Sequence, residues 1–303
     1  LWGDSAGILY AVGEGDTVVR CPPGSSSCEP IRNGGVTSLS AIWGSDDNNV
    51  YVAGSEGTLL RCGAGLPTCA ALRSGTTQPL FALWGSDLQH VYAVGAAGTI
   101  VRCAASAAAC QPLASATTRS LAAIAGSDPD NVYAVGDAGA VVRCAAGLST
   151  CTPVQSATNN ILRGVAAGPT GVYTVGDAGT VRYCGNQVTT CTAVATGFEQ
   201  HLLATLPTAD SDLYAVGATG AIVQCATTTG ICSSLTAGTQ QFLAALGGSD
   251  PRHIYAVGNQ GTILRCGSPS GLCTALGFCS DQGIAEQRDE YRAEQHQQCG
   301  SVE

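Results

Sequence analysis

Tyr-Ala-Val-Gly, or a near variant of it, begins at Tyr10, Tyr51, Tyr92, Tyr133, Tyr173, Tyr214 and Tyr255. Two cysteines follow every copy, seven positions apart, and the whole pattern recurs at a step of 41 residues, once 40. A period this regular along most of a 303-residue chain confines it to repeat architectures. In residues 80–120, "LFALWG", "VYAVG", "TIVRC" and "CQPLAS" are four β-like runs separated by polar or glycine turns. No stretch carries helical periodicity, and several runs are apolar at consecutive positions, as strands covered on both faces require. Helical repeats are excluded and leucine-rich solenoids have shorter periods, whereas propeller blades run roughly 40–45 residues. The pattern therefore predicts an all-β, seven-bladed β-propeller over residues 1–276, with four-stranded blades.

The first cysteine of each copy ends the third run and the second opens the fourth. Disulfides Cys21–Cys28, Cys62–Cys69, Cys103–Cys110, Cys144–Cys151, Cys184–Cys191, Cys225–Cys232 and Cys266–Cys273 follow. Each closes an eight-residue loop at the outer hairpin, worth about 2.5 kcal/mol of unfolded-chain entropy. Zinc ligands usually stand two to four residues apart with histidines nearby. Here His90, His201, His253 and His296 ignore the repeat, so no metal is expected. Sixteen cysteines point to an oxidising compartment: extracellular, cell-surface or periplasmic. Cys279 and Cys299 lie outside the repeat, in a polar tail, 277–303, expected to be partly helical and closed by a Cys279–Cys299 bridge.

Charge narrows the partners. The chain has a net charge of −9 and thirteen basic residues, all arginine, a poor match to nucleic acid or anionic lipid. No apolar run reaches the ~18 residues of a membrane helix. The opening "LWGD", in a chain without methionine, suggests a removed leader or a longer parent chain.

"LWGSDLQHVYAVGAAGTIVRC" resembles a propeller repeat of secreted bacterial proteins, similar to the sialidase-like (BNR) repeats and to photosystem II assembly-factor propellers. The resemblance spans nearly all of residues 1–276 and implies a seven-bladed propeller outside the cytoplasm. The Asp box of sialidases, Ser-x-Asp-x-Gly-x-x-Trp, is absent, and the cysteine pair occupies that part of the blade. Sialidase chemistry is therefore not implied.

Trp2, Trp43 and Trp84 share one repeat position in three adjacent copies. They are the candidate ligand-binding residues, as an aromatic platform for a sugar or a partner side chain; packing between blades is the cheaper account. The "GSDDNN", "GSDPDN" and "GSDPRH" turns lack the spacing of a calcium loop and read as Asx turns. Arg20, Arg61, Arg102, Arg143 and Arg265 form a column that reads as solvent-facing rather than anion-binding. His90 and His253 share a turn position in non-adjacent copies. There is no nucleophile elbow, phosphate loop or metal cluster, so neither catalysis nor a cofactor is expected. The sequence favours a scaffold for a protein partner or surface assembly, with a carbohydrate-binding propeller as the alternative. Because strands alternate direction, the cysteine loops and Ser-Asp turns share one face. The "VGxxGT" turns and the variable links share the other, which is the expected binding face.

Overall fold

The computed structural model describes residues 1–276 apart from positions 16, 26, 36–37, 65–67, 108, 169, 209–211, 227–230, 249–252 and 267–271. The tail, with its expected helix and Cys279–Cys299 bridge, lies outside the described residues. Seven antiparallel four-stranded sheets follow one another along the chain, each with its strands in sequence order. This is the seven-bladed propeller that the period predicts.

Blade 3 shows how the sequence builds the unit. Its inner strand is Leu80–Asp87, its second His90–Gly95, its third Ile100–Cys103 and its outer strand Gln111–Pro112. Alternate side chains on a strand point to opposite faces. Tyr92 and Val94, with Ile100 and Leu113, therefore pack onto Leu121, Val132, Ala134 and Val142 of blade 4. Val91, Ala93 and Val101 pack onto Tyr51, Ala53 and Leu59 of blade 2. Neither face meets water, so the run has no polar alternation. Leu80, first in the inner strand, is 0% exposed, and burying such a side chain stabilises by about 1.5–3 kcal/mol.

The two glycines of "VGAAGT" do different jobs. Ala97 (φ 51°) and Gly98 (φ 72°) are the left-handed pair, as in a type I′ turn. Gly95 is extended at φ −168°. A Cβ on Gly95 would lie 1.9 Å from the Pro79 carbonyl oxygen, and one on Gly98 2.0 Å from that of Thr117 in the link to blade 4. One glycine lets the blade close on itself; the other lets the next link cross over it.

All seven blade disulfides are present. They also organise the contact between blades. The Cys110 amide donates to the Arg73 carbonyl, just beyond the outer strand of blade 2, at 2.8 Å. Cys69, Cys151, Cys191 and Cys273 do the same to Arg32, Ala114, Gln155 and Thr236. Bracing the hairpin thus fixes a donor against the preceding blade.

The first and last blades are less covered than those between them. Tyr255 and Val257 of blade 7 are 37% and 39% exposed, and Leu9 of blade 1 is 43% exposed. Their counterparts in blade 3, Tyr92, Val94 and Val91, are fully buried.

Candidate functional site

The structure places the three tryptophans between blades. Trp2, Trp43 and Trp84 lie tilted against Tyr10, Tyr51 and Tyr92 of their own blades, with ring centroids 6.0 to 6.2 Å apart. Each indole reaches the next blade at a glycine. A Cβ on Gly44, Gly85 or Gly126 would come within 2.7 to 2.8 Å of the indole of Trp2, Trp43 or Trp84 respectively. The rings are half-buried and fill the space the glycines leave open.

On the cysteine-loop face, Asp46 accepts from the Asn48 amide and the Asn49 side chain, and Asp128 from the Asp130 amide and Asn131. Asp87 accepts from the Gln89 amide and pairs with His90 Nδ1 at 2.9 Å. The Asp46 and Asp128 turns are the expected Asx turns, and Asp87 forms another; the expected turn at "GSDPRH" lies outside the described residues. The arginine column, however, is half-buried in four of five copies rather than solvent-facing. Arg20 grips Asp47 of blade 2 through Nε and Nη2 at 2.8 and 2.7 Å, and the Tyr10 hydroxyl donates to the same carboxylate. The bond from Arg20 holds Asp47 below the usual carboxylate range, while burial and Asp47 push the Tyr10 hydroxyl up. Arg61 bonds Asn49, Arg102 bonds Gln111, and Arg143 bonds Asn131 and the Asp130 carbonyl. These arginines tie turns and strands together. His253 sits in the corresponding turn of blade 7, remote in sequence from His90, and no group of three or more potential metal ligands occurs among the described residues.

The opposite face carries the grooves. Ser74 of the link after blade 2 donates to the Gly57 carbonyl at 2.6 Å, docking the link onto the turn of its own blade. A depression of about 700 Å³ lies there, lined by Glu56, Gly57 and residues 72–78. A second groove of about 460 Å³ runs between the links that flank blade 4 and is lined by Ala116, Thr117, Ala138, Gly139, Ala157 and Thr158 among others. Ala116, Ala138 and Ala157 in this groove have φ of 56°, 50° and 56°. At the place of Ala116 and Ala157, other links have Gly75, Gly197 and Gly238, also at positive φ. A left-handed L-residue costs roughly 1–2 kcal/mol, so this groove holds strain that the other links avoid. Further round the same face, Asp177 accepts from Arg163 Nε at 2.5 Å and pairs with His201 Nδ1 at 3.0 Å. The Arg163 bond keeps the Asp177 carboxyl low. Periodicity located this face, but the strain at its alanines depends on backbone angles that the repeat does not reveal.

Fold and surface together define a disulfide-braced seven-bladed propeller, grooved on the link face and also, by a cleft of about 530 Å³ beside Thr170, Tyr183 and Cys225, between blades 5 and 6. No family model matches the chain, and no curated protein matches its sequence. Among solved structures it is similar to YCF48 bound to a D1 peptide, with a TM-score of 0.67 and 12% identity over 87% of this chain and 89% of that one. At that identity the likeness shows a common fold.

Proposed function

We propose that this protein is a non-catalytic scaffold that binds an extended segment of a protein partner in the groove flanking blade 4, outside the cytoplasm. The observation that carries this reading is that Ala116 and Ala157, left-handed where other links have glycine, line one groove. Backbone strain of this sort concentrates where a surface is shaped for a ligand. The fold is one on which YCF48 binds a peptide, and seven disulfides suit an oxidising, exported setting. Among the described residues no helix is long and apolar enough to cross a membrane.

The test is selection from a random peptide display library on the oxidised protein, compared with the Ala116→Glu, Ala157→Glu double variant. Enriched peptides that bind the wild type at least tenfold better than the variant support the groove. Equal binding to both moves the site elsewhere. Silence on peptides, joined to glycan binding that Trp84→Ala abolishes, replaces the scaffold with a lectin.

A further inference from the structure

At five of the six junctions between blades consecutive in the chain, the amide of the second cysteine donates to the link of the preceding blade. The exception is the junction of blades 5 and 6. There the matching pair is Cys232 and Ala195, and among the described residues Ala195 makes no hydrogen bond to blade 6. The cause is the outer hairpin of blade 6. Its third strand, Ile222–Ala226, pairs with Ile231–Ser234 so that Cys232 lies opposite Cys225, whereas in blade 3 the outer strand begins only after Cys110. Cys232 thus stays with its own blade and is half-buried, where Cys69, Cys110, Cys151, Cys191 and Cys273 are buried. The cleft of about 530 Å³ lies at this junction, bounded by Ala195 of blade 5 and by Leu213 and Cys225 of blade 6. Another wall is aromatic. Tyr183 stands where five other third strands have arginine. Its hydroxyl donates to the Thr170 carbonyl at 3.0 Å and pairs with the Thr170 hydroxyl at 2.7 Å, tying strand to turn as Arg143 does at the Asp130 carbonyl. The ring adds what an arginine would not: it lies beside Tyr173, centroids 4.9 Å apart, and both rings line the cleft.

We propose that this cleft is a binding site for a neutral saccharide. A pyranose ring has a face of C–H groups and a rim of hydroxyls. The face suits the tyrosine rings, and the rim suits the hydroxyls of Thr170, Tyr183 and Thr192 together with the Ala195 amide and carbonyl. Small-molecule sites run roughly 300–1,000 Å³ and combine apolar and aromatic walls with a few placed polar groups, and this cleft does both. No charged residue lines it among the described residues. A sialic acid, sulfate or phosphate would therefore give up its hydration without gaining a charge-assisted bond, so the lining selects uncharged sugars. The cleft lies apart from the groove at blade 4 and does not rest on the peptide reading.

The test is an array of neutral, sialylated and sulfated glycans probed with the full oxidised chain, followed by calorimetric titration of the best-bound neutral glycan. Tyr183→Arg installs the residue of five other blades, so it keeps the fold while removing the aromatic wall, and it should weaken binding by about tenfold or more. Tyr183→Phe keeps the ring and should stay within about threefold of the wild type. The Ala116→Glu, Ala157→Glu double variant should bind the glycan as the wild type does, whatever becomes of peptide binding. Silence on every neutral glycan overturns the proposal, as does preference for the sialylated or sulfated ones. Binding that Tyr183→Arg leaves intact also overturns it, and its loss in Trp84→Ala would then move the sugar to the tryptophans.

Discussion

Tyr10, Tyr51 and Tyr92 occupy one repeat position with different outcomes. The Tyr10 hydroxyl donates to Asp47, whereas that of Tyr51 is buried without a hydrogen-bond partner and that of Tyr92 lies beside Arg102. The cause lies in the following blade, where Asp47 is matched by Leu88 and Pro129. A hydrogen bond to a charged group contributes about 1.5–3 kcal/mol, while removing an unsatisfied buried hydroxyl costs nothing and relieves desolvation. Tyr10→Phe should therefore lower unfolding free energy by about 1.5–3 kcal/mol, with Tyr51→Phe neutral or stabilising. Guanidinium titration of both variants checks this; equal losses would mean that ring packing alone accounts for both positions.

At the scale of the element, the link after blade 3 carries Ala116 at φ 56°, where the link after blade 2 has Gly75. Glycine relieves the left-handed strain but widens the unfolded ensemble, leaving a net gain of about 0.5–1 kcal/mol for Ala116→Gly. A higher denaturation midpoint with unchanged slope is expected, and a lower midpoint would show that the methyl group packs usefully. The strands, turns and cysteine pairs of each blade were legible from sequence because they repeat in register and depend on neighbours a few residues away. The tie of Arg20 to Asp47 and the seating of Trp84 on Gly126 were not, because each joins residues of different copies whose facing positions follow from how blades stack. The arginine column was misread for the same reason: "RC" at the end of a third strand does not say that a turn folds over it.

For the whole molecule, acid is the revealing variable. Asp46 is held below the usual 3.8 by Asn49, Asp47 by Arg20 and Asp177 by Arg163. For Asp87 and Asp128 burial pushes upward, but hydrogen bonds from His90 and Asn131 outweigh it. Between each lowered value and 3.8 the unfolded chain binds more protons than the folded one, so stability rises with pH across that window. It is complete above the window and is lost as pH falls through it. Unfolding free energy should therefore drop steeply below about pH 4, and Asp47→Asn should make that acid limb shallower. An acid limb of unchanged slope in Asp47→Asn would show that the bond between blades 1 and 2 is not part of it.

The seating of each indole on the glycine of the following blade makes the order of the copies a grammar. Deleting blade 3 as one repeat unit would bring Trp43 against Gly126, an allowed pairing. Deleting blade 4 would bring Trp84 against Ala167, where a side chain occupies the place of the glycine. Recombination among near-identical repeats can thus shorten or lengthen the first part of this chain, provided that a blade with glycine at this position, as blade 4 has, still follows the last tryptophan.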